Sequence, residues 1–87
     1  MPTYSQGILR MHHRPGVAHA IEVKDFDEWG ITFHHRLPLD GRRAMLVLES
    51  PQLGRLVAEV DLTWCQFNRT GRYTSGGRFV QLVGNTA

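Results

Sequence analysis

The chain contains a single cysteine and a single lysine in 87 residues, and no long apolar run. Cys65 has no second cysteine to pair with, so neither an intrachain disulfide nor a cysteine zinc cage can form. A reducing compartment suits such a chain, and a cytoplasmic location is expected. The longest apolar run, Ala44 to Leu48, falls far short of the ~20 residues of a membrane-spanning helix. The opening stretch Met1–Gly7 has no basic segment followed by an apolar one, so no secretory signal is expected. Extended apolar periodicity of 3.6 residues is also missing, which leaves no helix to expect. With lysine nearly absent, arginine supplies nine of the ten cations. Its planar fork grips carboxylate or phosphate through two bonds at once.

What remains is ordinary globular composition, 41% hydrophobic and 21% charged, with a formal net charge of +2. That is too apolar for a disordered chain. The length allows one domain, 1–87, with a short N-terminal arm at 1–5 and a C-terminal tail at 84–87. A domain of this length buries roughly 60–65% of the surface its unfolded chain exposes, so the core is thin. Alternation with period two dominates. In Leu56–Trp64, the residues Leu56, Ala58, Val60, Leu62 and Trp64 share one face. Val17–Val23 and the segment around Ile31 and Phe33 alternate in the same way. Ala44–Ser50 is apolar on both faces, which suggests a strand covered on both sides. A segment near Gly7–His13 and another at Gly77–Val83 bring the number of strands to about six. Turn chemistry separates them: Pro15-Gly16, with the pattern of a type II turn, then Asp40-Gly41, Ser50-Pro51 and a longer polar loop at Asn68–Gly77. The expected fold is all-β, a small antiparallel six-stranded barrel.

Residues that could carry chemistry are few. His12, His13, His34 and His35 form two adjacent pairs. Neighbours on a strand face opposite ways, so each pair offers one ligand to a given metal site. Surface histidines near strand ends are the plainer reading, and no metal or cofactor is expected. Cys65 has no catalytic signature around it. Asp25 and Asp27 share a face if the strand continues through them, about 6.5 Å apart. An 87-residue β domain offers little cleft for a substrate, and an enzyme is not expected. Arg10 and Arg14 form R-x-x-x-R; on one continuous strand face they would stand about 13 Å apart, able to straddle two phosphates, but Pro15-Gly16 sets them on the first strand and its turn. The remaining arginines are dispersed among eight acids. Nucleic-acid binding by such a barrel is therefore only an alternative reading.

The order of these features resembles the PilZ family, small bacterial β-barrels of cyclic-di-GMP signalling. The bend Asp25-Phe-Asp-Glu-Trp-Gly30 is followed by Ile31–Phe33. An apolar strand, a polar strand closing on Leu62-Thr-Trp64, and Gly71-Arg-Tyr-Thr-Ser-Gly-Gly-Arg-Phe79 come next. The resemblance covers roughly residues 17–83. It implies cyclic-di-GMP as ligand, held by Arg10 and Arg14 with the bend Asp25, Asp27 and Gly30. The family's bend carries serine where this chain has Asp27. A hydroxyl donates and accepts, whereas an ionised carboxylate only accepts. At an effective dielectric of about 20, a like charge ~6 Å from a phosphate costs roughly 2–3 kcal/mol. The resemblance thus leaves two versions open. One is a genuine cyclic-di-GMP receptor. The favoured one is a degenerate member, with weak or no cyclic-di-GMP binding, acting on a protein partner of a signalling, motility or biofilm pathway through Phe26 and Trp29. Edge pairing into a homodimer is compatible with either.

Overall fold

The computed structural model describes residues 5–52 and 54–86. Six strands appear: β1 (Gln6–Met11), β2 (His19–Phe26), β3 (Gly30–His35), β4 (Arg43–Ser50), β5 (Gly54–Phe67) and β6 (Tyr73–Thr86). All neighbours pair antiparallel, in the closed order β1-β2-β3-β6-β5-β4. The all-β six-stranded barrel expected from the sequence is therefore the fold. Among the described residues no helix is long and apolar enough to cross a membrane. Met1–Tyr4, most of the expected arm, lie outside the described residues.

The period-two pattern does what it should. Leu9 and Met11, Ile31 and Phe33, Ala44, Leu46 and Leu48, and Val60 and Leu62 point inward and are buried. Burying each large side chain contributes about 1.5–3 kcal/mol, which drives closure of so short a chain. β3 and β4 are not neighbours, so the segment between them crosses one end of the barrel, and Leu39 there packs against the core.

Several local expectations are corrected. Ala44–Ser50 is not covered on both sides: Met45 and Val47 face outward and are half-buried, because a single closed sheet has no second layer. The turn at Arg14 closes by Val17 N–H donating to Arg14 O at 3.1 Å. Gly16 is not in the left-handed region, so the turn is not type II. The polar loop is shorter than expected, spanning only Asn68–Arg72, since Thr74–Gly77 are buried residues of β6. β6 also runs on through Gly84 to Thr86, where a tail was expected, paired with Arg55–Val57 of β5. Trp64 does not share the inward face of Leu62. A register shift between Leu62 and Trp64 turns it outward, opposite Gly76, and leaves it 46% exposed.

Candidate functional site

The bend at Asp25–Gly30 is the β2–β3 hairpin. β2 ends at Phe26, so Asp27 belongs to the turn and does not share a strand face with Asp25. The Asp27 N–H donates to Gly30 O at 3.1 Å. Its carboxylate oxygen Oδ1 accepts the N–H groups of Trp29 at 2.8 Å and Gly30 at 3.0 Å. The sequence folds this way because an Asp side chain can cap its own turn two and three residues on. Gly30 is needed for a different reason. A Cβ there would collide with the carbonyl oxygen of Gly77 on the neighbouring strand.

The register does not bring Arg10 and Arg14 to this bend. Leu9 pairs with His19 on β2, and Asp25 lies six residues further along that strand. At ~3.3 Å per residue the separation is roughly 20 Å. The two turns of β2 necessarily sit at its opposite ends. Arg10 Nη1 donates to Pro15 O at 2.8 Å, clasping the β1–β2 turn. Arg14 Nη2 lies 3.8 Å from Asp40 Oδ2, and His13 Nε2 lies 3.2 Å from Asp40 Oδ1. The His13 hydrogen bond and, less strongly, the Arg14 charge hold the Asp40 carboxyl below its ordinary range.

Beside the hairpin the strands form an open cleft of about 380 Å³. Its floor is Gly76 and Gly77, and its walls are Trp29 and Trp64, with Asp25, Thr32 and Arg78 around them. The pairing explains the assembly: Trp64, Gly76, Thr32 and Asp25 lie in one row across β5, β6, β3 and β2. The Trp64 indole lies over Gly76, where any Cβ would meet its ring. Trp29 is 76% exposed at the hairpin tip. Phe26 is 38% exposed and meets Phe79 edge-on, centroids 5.6 Å apart. Trp64, Gly76 and Arg78 escape a reading of the sequence alone. Alternation assigns Trp64 to the core, and Gly76 reads as loop; only the close Gly-Gly pair hints at an approaching backbone or ring.

The histidines take separate partners. His12 faces Glu59 at 3.4 Å and His34 Nδ1 meets Thr74 Oγ1 at 2.9 Å. Among the described residues no three His, Cys, Asp or Glu side chains gather as a metal would require. His35 is not a surface residue: it is 2% exposed, inward from the end of β3. Its Nδ1–H donates to Leu37 O at 2.7 Å, so Nε2 accepts from Ser75 Oγ–H, also at 2.7 Å. Burial lowers its pKa, against the raising effect of the Leu37 bond. Cys65 is exposed. The arginines of the β4–β5 face are engaged with acids: Arg42 with Asp61, Arg43 with Glu59 and Arg55 with Glu49. No family model matches the chain, and neither a curated protein nor a solved structure matches it.

Proposed function

We propose that the protein is a non-catalytic, PilZ-like module of bacterial signalling that docks a protein partner and binds cyclic-di-GMP weakly or not at all. The observation that supports this reading best is the mounting of Trp29. Its indole is 76% exposed, yet its backbone is fixed on both sides. Its N–H donates to Asp27 Oδ1, and its carbonyl accepts from the Phe79 N–H at 2.9 Å. These bonds fix the point from which the side chain leaves the backbone, so an exposed indole stands at a defined place on the surface, and tryptophan is a frequent interface anchor. Asp25 and Asp27 line the cleft beside it and Glu28 precedes it in the chain, three acids against Arg78. The partner therefore presents an arginine or lysine beside an apolar patch, since such a cation also fits over an indole face.

A photo-crosslinking residue in place of Glu28, beside an intact Trp29, used in the cells of origin, tests this. The expected result is one discrete adduct, competed away by the unlabelled protein. The same reagent in place of Arg55, on the β4–β5 face, should give none. Equal adducts from both positions, or none from either, would overturn the proposal. Trp29→Ala should leave the unfolding midpoint unchanged within about 0.5 kcal/mol, because the side chain is exposed.

The second reading, cyclic-di-GMP recognition, draws on the cleft beside the hairpin. Asp25 can accept from a guanine N–H, Trp64 and Trp29 can stack on a base, and Arg78 can meet a phosphate. Its electrostatics oppose a dianion, with Asp25 and Asp27 set against Arg78 alone.

A further inference from the structure

Arginines also line a concave region away from the hairpin. A groove of about 1040 Å³ runs over the outer face of β1, β2 and β3, walled on its far side by the β5–β6 loop. Its ionised lining residues are Arg36 and Arg72 against Glu22, with His19 and His34 beside them. The hairpin cleft has the reverse balance, two aspartates against Arg78. Its lining includes the small, exposed residues Ala18 and Ala20 of the β2 side, over which a ligand can approach the backbone closely.

We infer that this groove binds a phosphate-bearing small molecule, with His34, Arg36 and Arg72 as donors. His34 is oriented for that role by a short relay. Asn68 Nδ2 donates to Thr74 Oγ1 at 2.6 Å, and the same hydroxyl lies 2.9 Å from His34 Nδ1, so one ring nitrogen is held from behind. In the tautomer whose Nδ1 accepts from that hydroxyl, Nε2–H is the donor turned to the groove. Arg72 Nη2 lies 3.4 Å from Glu22 Oε1, in a bridge whose side chains are 40% and 60% exposed. An exposed bridge of this kind holds little and is readily exchanged for a phosphate. Among the described residues, Arg36 has no carboxylate within ion-pair distance. Glu22 pairs across the ladder with His34, so the donor, the exchangeable arginine and the groove wall meet at one place.

The test is an NMR titration of the protein with inorganic pyrophosphate at constant ionic strength. Saturable shifts confined to His34, Arg36 and Arg72 are expected, with Arg78 and Trp29 unmoved. Arg36→Ala with Arg72→Ala should weaken binding about tenfold or more while the spectrum stays dispersed. His34→Phe should weaken it as well, and His34→Gln, whose amide lies near the Nε2 position, should restore most of it. Shifts that do not saturate, shifts spread evenly over all arginines, or affinity unchanged in the double variant would overturn the inference. So would a single-stranded oligonucleotide that binds with a steep salt dependence where pyrophosphate does not bind at all.

Discussion

His35 links one side chain to the acid stability of the whole barrel. Its two ring nitrogens are committed to Leu37 O and Ser75 Oγ, and its ring stacks on Tyr73 at 5.4 Å. Burial holds its pKa below 6.5 in the folded state, and the charges of His19 and His34 add to that lowering. The unfolded chain therefore takes up a proton that the folded chain refuses. Stability is fully present above pH 6.5 and falls as pH drops below it toward the folded value. Urea unfolding at pH 7.5, 6 and 5 should give a steadily falling midpoint. His35→Gln should be less stable at pH 7.5 but flatter across that window; an unchanged slope would show that His35 is not the responsible group. The inward direction of His35 was legible, because it follows Ile31 and Phe33 at alternate positions. Its adjacency to His34 disguised this, since a pair of imidazoles reads as surface. Trp64 shows the opposite limit. Nothing in Leu62-Thr-Trp announces a register shift, and one extra residue reverses every side chain beyond it.

The β2–β3 hairpin is an element that builds its own geometry. Asp27 supplies two hydrogen bonds from one carboxylate oxygen and a third from its backbone N–H. Asp27→Ala removes the side-chain pair and should destabilise the barrel by about 1 kcal/mol, within a range of roughly 0.5–2. Asp27→Ser should recover part of that loss, since a hydroxyl caps the same turn more weakly. Chemical denaturation measures both, and a silent Asp27→Ala would contradict the capping role. The six strands and most turns were legible because each is written in local alternation and in Gly, Pro, Asn and Asp. The extent of β6 was not. Thr74, Ser75, Gly76 and Gly77 look like loop, yet β3 and β5 pair on either side of them and bury them.

Across the whole molecule, closure decides which residues can act together. The pairing of β1 with β4 and of β3 with β6 joins segments that no local pattern connects. The length of β2, by contrast, is enough to set Arg10 and Arg14 at one of its ends and Asp25–Gly30 at the other. The family resemblance matched these residues one by one, but a motif match carries no distance. The Trp29–Trp64 cleft and the arginine-lined groove emerge only once the strands are laid side by side. The two halves of the expected cyclic-di-GMP site therefore do not meet. Calorimetric titration with cyclic-di-GMP, of the wild type beside Arg10→Ala with Arg14→Ala, tests it most directly. The expected result is no saturable heat at high micromolar ligand, or weak binding that the double variant leaves unchanged. Tight binding that the double variant abolishes would contradict it.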